Sequence, residues 1–141
     1  QLVETAAGLD QYLSVLPEAA VAVKSGVAAM HIVTEGGIYW TLSGEMAEAS
    51  GVGLDIDLKK IPIRQETVEI CEYFDINPYE LISSGCMLMA RPTETGWYGL
   101  ERAGIPATII GKATEGNDRI IRSRRGKNVF WNRPKPISSI R

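Results

Sequence analysis

The 141-residue sequence contains only two cysteines and one histidine, and both scarcities exclude familiar classes of small protein. Cys71 and Cys86 are too far apart for a Cys-x-x-Cys pair, and no histidine cluster accompanies them. Disulfide frameworks and structural zinc sites need more of these residues at closer spacing. We therefore expect two reduced thiols, no metal site, and a fold that depends on its apolar core.

Long hydrophobic runs are also missing, as is a charged-then-apolar leader that ends in small residues. Membrane insertion and secretion are therefore not indicated, and we expect a cytoplasmic protein. With 45% hydrophobic and 23% charged residues, the composition is that of one globular domain over 1–141. An initiator methionine is absent, from which we expect that the domain is a piece of a longer protein.

Acidic residues are absent from 119–141, which carry eight Lys or Arg, whereas 1–118 carry seven Lys or Arg and all seventeen acids. Such a basic segment is most often a solvated surface, but it can also contact nucleic acid or an acidic protein. We expect 123–141 to form an extended basic tail. A non-catalytic binding module that uses this tail is the alternative function, although we do not favour nucleic acid as its partner.

The spacing of apolar residues predicts alternating helices and strands. Helices are expected at 9–23 with a break at Pro17, and at 37–50, 64–75 and 93–103, with one further helical turn at 79–82. Strands are expected at 27–33, 54–58, 86–90, 108–112, 119–122 and 129–131. Turn residues between the last three strands indicate a β-meander. The order predicts an α+β domain in which helices pack on a mixed β-sheet.

Two carboxylates alternate with apolar residues in the predicted strand 54–58, namely Asp55 and Asp57. An Asp-x-Asp pair can contribute to a metal site, but no third ligand is evident nearby. We therefore favour a solvent-facing strand at the edge of the sheet.

The most informative motif is Thr34-Glu35-Gly36-Gly37, which lies between the predicted strand 27–33 and the predicted helix 37–50. Glycines allow a sharp turn and close approach of a ligand, and the exposed N–H groups and dipole of a helix start attract anions. Phosphate or sulfate suits such a loop. The alternative is a purely structural turn in which Thr34 caps the helix.

Neighbouring polar residues are weaker candidates. His31 can bond a phosphate oxygen, although a lone histidine at a strand end is often structural. Glu35 can orient a substrate or act as a base, but its charge competes with an anion at the same amides, so Gly36 and Gly37 are the first choice for anion contact. Cys86 has no candidate base nearby, which argues against a nucleophile. Catalytic residues stay unassigned.

Several segments of the sequence follow one another in the order found in a known protein family. The longer ones are 31–37 (His-Ile-Val-Thr-Glu-Gly-Gly) and 45–53, and the shorter ones are 61–63, 83–85, 103–107 and 110–112. They resemble the C-terminal domain of the AIR synthase superfamily over nearly all of 20–122. Within the superfamily, the sequence looks most similar to the hydrogenase expression/formation (HypE) type and to AIR synthase-related proteins.

This resemblance implies a domain with the AIR synthase C-terminal fold that closes a cleft over an N-terminal ATP-binding domain, within a homodimer. It implies ATP, with Mg²⁺, as the cofactor of the full-length enzyme, and an isolated domain without activity. A small phosphate ligand would contact Thr34, Glu35, Gly36, Gly37 and His31. A hydrogenase maturation protein becomes a candidate partner.

The sequence departs from the family pattern at two places. Ile32 stands where the family has an acid after the histidine, which removes a carboxylate that could hold a metal or a hydrogen bond. Residues 138–141 read Ser-Ser-Ile-Arg, without the cysteine on which the HypE type carries the group to be dehydrated. Either that cysteine was never part of this relative, or the subgroup is a different one.

Overall fold

The computed structural model describes residues 12–92, 97–123 and 128–130, together with Glu4, Ala7 and Gly8. Within them the helices are α1 (Leu16–Lys24), α2 (Gly37–Trp40), α3 (Gln65–Tyr73) and α4 (Tyr98–Arg102), with a π-helix at Thr41–Glu48 and a 3-10 helix at Leu58–Lys60. The strands are β1 (Ala29–Ile32), β2 (Gly53–Asp57), β3 (Met87–Ala90), β4 (Gly111–Thr114), β5 (Arg119–Arg122) and β6 (Asn128–Phe130).

Strands β1 and β3 form a two-stranded antiparallel sheet in which His31 lies opposite Leu88. Successive side chains of a strand point to opposite faces. Met30 and Ile32 are accordingly exposed, whereas Leu88 is buried. His31 therefore shares the inner face with Leu88, and Ile32 points away from it.

The other four strands form one sheet in the order β4-β2-β5-β6. Strand β2 is antiparallel to β4 and parallel to β5, and β5 is antiparallel to β6. The predicted mixed sheet with packed helices is thus confirmed. The predicted β-meander is wrong, because β4 and β5 lie on either side of β2 and do not pair with each other.

A glycine at the start of β2 allows the connection between β4 and β5 to pass close to this strand. A Cβ atom on Gly53 would lie 2.5 Å from Thr114 Oγ1 and 2.6 Å from Asp118 O. The Leu54 N–H donates to Asp118 O at 2.8 Å. The turn at 115–118 therefore crosses closely over the first residue of β2, and the missing side chain makes room for it.

The core joins both sheets to the π-helix. Its buried members are apolar side chains from both sheets, from the π-helix and from the segments next to them: Val33, Leu42, Ile56, Leu58, Ile61, Leu88 and Ile121. Because interiors are closely packed, the segments that lead into and out of the 34–37 loop have little freedom to move relative to each other.

The helix predicted at 37–50 starts where expected, but its hydrogen bonding over 41–48 is that of a π-helix. In that geometry the hydrogen bonds join residues five apart, so the side chains that share a face differ from those of an α-helix. Leu42 and Ala47 are buried accordingly, whereas Ala49, which the α-helical pattern placed on the apolar face, is exposed. The Thr41 hydroxyl donates to Gly37 O at 3.1 Å and is itself buried.

The remaining predicted elements agree with the structure to different degrees. Pro17 lies in the first turn of α1, as expected, and β5 coincides with the predicted strand at 119–122. The strand predicted at 108–112 is displaced to 111–114, and 78–80 form a turn where a helical turn was expected. Residues 93–96 of a predicted helix, 124–127 and the tail at 131–141 lie outside the described residues.

In the described ranges, every helix is too short or too polar to cross a lipid bilayer.

Candidate functional site

The loop between β1 and α2 has the sharp turn that its sequence predicts. Val33 is fully buried, and its N–H donates to Cys86 O at 2.9 Å, which fixes the start of the loop beside β3. Gly36 and Gly37 have φ angles of 79° and 64°, in the region that residues with a side chain rarely adopt. Both glycines are therefore required by the backbone conformation itself.

The amides at the helix start have unequal roles. The first N–H groups of a helix have no acceptor within it. The Gly37 N–H donates to Thr34 O at 3.1 Å, and the Trp40 N–H donates to Gly36 O at 3.3 Å. In the part of the chain that the structure describes, the N–H groups of Gly36 and Ile38 have no protein acceptor. These two amides, and not that of Gly37, are therefore the candidates for contact with a ligand.

Gly37 instead meets the protein's own backbone. A Cβ on Gly37 would lie 2.5 Å from Tyr79 O and 2.8 Å from Glu80 Cα. A Cβ on Gly36 would lie 2.6 Å from Trp40 Cβ. The space beside Gly37, where the sequence predicts a bound anion, is therefore occupied by backbone atoms of Tyr79 and Glu80.

Thr34 and Glu35 do not cap the helix. Gly36 is the N-cap residue, and no side chain in the described part of the chain accepts a hydrogen bond from the N–H of Gly37 or Ile38. The alternative in which Thr34 is a side-chain cap is therefore wrong, since Thr34 contributes its carbonyl. Both Thr34 and Glu35 are exposed. The Glu35 carboxylate adds negative charge near the free amides, which weakens the attraction of an anion to them and favours an anion that carries a cation with it.

The His31 side chain contacts Glu45 of the π-helix. Its Nδ1 lies 3.3 Å from Glu45 Oε2, and the side chains are 42% and 33% exposed. The two attract each other when the imidazole is protonated. Among the described residues, no hydrogen bond or ion pair joins the imidazole to 34–37.

Tyr39 packs beside the loop. Its ring is stacked on Tyr79, with centroids 5.5 Å apart and planes 21° apart. Burial raises the pKa of the Tyr39 hydroxyl above its ordinary value, and the neighbouring Tyr79 and Glu80 raise it further. The phenol therefore stays neutral at physiological pH and can both donate and accept a hydrogen bond.

Cys86 is partly buried and lies directly before β3. Burial raises the pKa of its thiol, which keeps the sulfur protonated at neutral pH. Because the thiolate is the reactive form, this agrees with the expectation that Cys86 is not a nucleophile.

Asp55 and Asp57 lie on β2, which is an inner strand, so their predicted place at a sheet edge is wrong. Arg122 Nε and Nη2 donate to the two carboxylate oxygens of Asp55, each at 2.7 Å. Asp57 Oδ1 accepts the Lys59 N–H at 3.0 Å. Across the described residues, no three His, Cys, Asp or Glu side chains are grouped to hold a metal ion.

The Asp55–Arg122 pair predicts a pH effect. The Arg122 hydrogen bond holds the pKa of Asp55 below its ordinary value, against a smaller opposing effect of burial. Because the folded-state pKa is lowered, the ionised carboxylate stabilises the fold above the unfolded pKa of about 3.9. That contribution is lost as pH falls through the folded value. We expect Arg122→Gln to raise the pKa of Asp55 and to reduce stability at pH 7 but not in strong acid.

Carboxyl NMR titration and urea unfolding at pH 7 and in acid measure these effects. Arg102→Gln removes an equal charge from an exposed position at the end of α4 and is the matched control. An Asp55 pKa that is the same in both variants would contradict the prediction.

Sequence reasoning missed Glu45, Tyr79 and Glu80 at this site. Glu45 was part of a helix pattern, and nothing local links it to His31. The Asn77-Pro78 pair directly before Tyr79 is typical of a turn. No sequence signal shows that this turn lies against Gly37.

A mixed sheet, a second strand pair and a glycine loop at a helix start define an α+β domain with a candidate anion-binding loop. The model for the family "AIR synthase related protein, C-terminal domain" matches residues 4–123. The chain belongs to this family, as the resemblance of its motifs predicted.

Two curated relatives are similar to this chain in sequence. A hydrogenase expression/formation protein of Methanocaldococcus jannaschii is 35% identical over 100 residues, which cover 67% of this chain and 30% of that protein. Carbamoyl dehydratase HypE of Rhodobacter capsulatus is 29% identical over 109 residues, covering 74% of this chain and 32% of that protein. The chain spans about a third of the length of these relatives.

Solved HypE structures share the fold. Escherichia coli HypE has a TM-score of 0.71 at 20% identity, covering 86% of this chain and 40% of that chain. A HypE complex with ATP has a TM-score of 0.66 at 17% identity, covering 79% and 37%. A HypE–HypF complex has a TM-score of 0.63 at 23% identity, covering 90% and 41%. At these identities the likeness establishes the fold.

Proposed function

We propose that this chain is the C-terminal domain of an ATP-dependent AIR synthase-like enzyme of hydrogenase maturation, and that its 34–37 loop binds a phosphate group in the interdomain cleft. Membership of the AIR synthase-related family and the two relatives support the enzyme class. One observation carries the site: the Gly36 and Ile38 N–H groups have no acceptor in the described chain. Such paired amides at a helix start suit an oxyanion.

The charges around the loop favour a metal-bound phosphate over a free one. Glu35 is exposed one residue before Gly36, and the charge of Glu80 is close enough to raise the pKa of Tyr39 at the start of the helix. Mg²⁺ commonly binds through phosphates and one or two carboxylates. We therefore propose that Mg²⁺ enters with the phosphates of ATP. The solved HypE complex with ATP supports this choice of nucleotide.

The proposal extends to assembly and location. We place the complete enzyme in the cytoplasm as a homodimer that meets another hydrogenase maturation protein. The solved complex of HypE with HypF supports a partner of that kind.

Calorimetric titration with inorganic phosphate and Mg-ATP tests the proposal on the 141-residue chain and on the complete gene product. We expect Gly36→Val to weaken binding at least about tenfold, because it forces a β-branched residue to positive φ and displaces a donor to a charged ligand. Gly51→Val is the matched control, since Gly51 has a φ of 63° with nothing within 4 Å of its Cβ position.

Deletion of 123–141 separates this function from the alternative. Binding at the loop survives the deletion, whereas binding to the basic tail disappears and weakens steeply with added salt. Retained affinity in Gly36→Val, or absence of binding in both proteins, would contradict the proposed site.

A further inference from the structure

The turn formed by Asn77, Pro78, Tyr79 and Glu80, here called the 77–80 turn, is held by its own hydrogen bonds. Asn77 Oδ1 accepts the Tyr79 N–H at 3.1 Å, and Asn77 O accepts the Glu80 N–H at 3.0 Å. The Asn77 side-chain amide donates to Glu80 Oε1 at 3.2 Å. Asparagine often closes turns in this way. These hydrogen bonds therefore restrict the conformation of the turn.

Tyr79 contacts the start of the helix on both sides of Ile38. On one side, Gly37 lies so close that a Cβ would be 2.5 Å from Tyr79 O. On the other side, the Tyr39 N–H donates to the same Tyr79 oxygen at 3.3 Å, and the two rings stack at 5.5 Å. Ile38 lies between two residues that are both anchored to Tyr79.

We propose that Tyr79 is a positioning residue for the anion-binding loop, and that the 77–80 turn fixes the direction of the free Ile38 N–H. This inference rests on the proposed function of the loop. If the N–H group is already held in its binding orientation, little conformational entropy is lost when an anion binds to it. Loosening the turn therefore weakens anion binding although Tyr79 itself does not touch the anion.

Three substitutions test the role of the ring. Tyr79→Ala removes the stack on Tyr39 but keeps the backbone carbonyl, and we expect phosphate and Mg-ATP affinity to fall by about 3- to 10-fold. Tyr79→Phe keeps the ring and should bind within about twofold of the unsubstituted protein. Tyr73→Ala is the control, because Tyr73 is 83% exposed on α3 and pairs with Phe74.

Amide hydrogen exchange provides a readout without ligand. Tyr79→Ala should speed exchange of the Tyr39 amide more than that of the buried β2 amide of Ile56, because local opening precedes global unfolding. An equal change at both amides, or unchanged phosphate affinity in Tyr79→Ala, overturns the positioning role.

The two proposals fail differently. If the unsubstituted chain and the complete gene product bind neither phosphate nor Mg-ATP, the proposed function and the positioning role both fall. If they bind, and Gly36→Val weakens binding while Tyr79→Ala does not, the loop stands and only the positioning role is lost.

Discussion

Replacement of Gly37 by alanine is expected to lower the free energy of unfolding by about 2–5 kcal/mol. Two effects add. A φ of 64° strains any residue with a Cβ, and that Cβ would meet Tyr79 O at 2.5 Å and Glu80 Cα at 2.8 Å. Both obstacles are backbone atoms, so no side chain can rotate aside, and the 77–80 turn must move. Urea denaturation measures the loss.

Gly51→Ala isolates the contact from the backbone strain. Gly51 has nearly the same φ, 63°, and nothing lies within 4 Å of its Cβ position. We expect a loss of about 1–2 kcal/mol, from the left-handed conformation alone. Equal losses in the two variants would show that Gly37 does not pack against the turn.

Shortening of Ile56 to alanine should cost about 2–5 kcal/mol of unfolding free energy. Ile56 is 4% exposed on β2, which has neighbours on both sides in the sheet. The lost methyl groups leave a cavity where the sheet meets Leu58 and Ile121. The urea dependence of the free energy should be unchanged, because the surface exposed on unfolding is nearly the same.

Ile109→Ala is the control with the same change of side chain. Ile109 is 49% exposed, so we expect a loss within about 0.5 kcal/mol. A loss for Ile56→Ala as small as this would mean that β2 is a peripheral strand, as the sequence pattern suggested.

Local patterns predicted much of the fold. Alternation and helical spacing depend on neighbours in sequence, so β2, β3, β5 and α3 appear near their expected bounds. Gly36 and Gly37 likewise predicted a sharp turn, because positive φ is a local requirement. Strand pairing is not local. Nothing in 108–122 shows that β2 lies between β4 and β5, and the signal that permits it is Gly53, far away in sequence.

Contacts between residues that are far apart in sequence also limit what could be predicted about the candidate anion-binding site. The sequence identified the 34–37 loop but assigned anion contact to Gly37, whose N–H is held by Thr34 O. That hydrogen bond depends on the turn geometry. The His31–Glu45 contact depends on the π-helix, since the residue that faces β1 differs between α- and π-helical geometry. A binary pattern of apolar residues does not separate these two helices.

The central claim is that main-chain amides at the start of the helix bind an oxyanion. Titration of isotope-labelled protein with inorganic phosphate and with Mg-ATP, followed at each backbone amide by NMR, tests it most directly. We predict that the Gly36 and Ile38 resonances shift most, and that Gly37 shifts less because its N–H already has an acceptor. Shifts confined to the basic residues of 119–141, or none in the complete gene product, would contradict the claim.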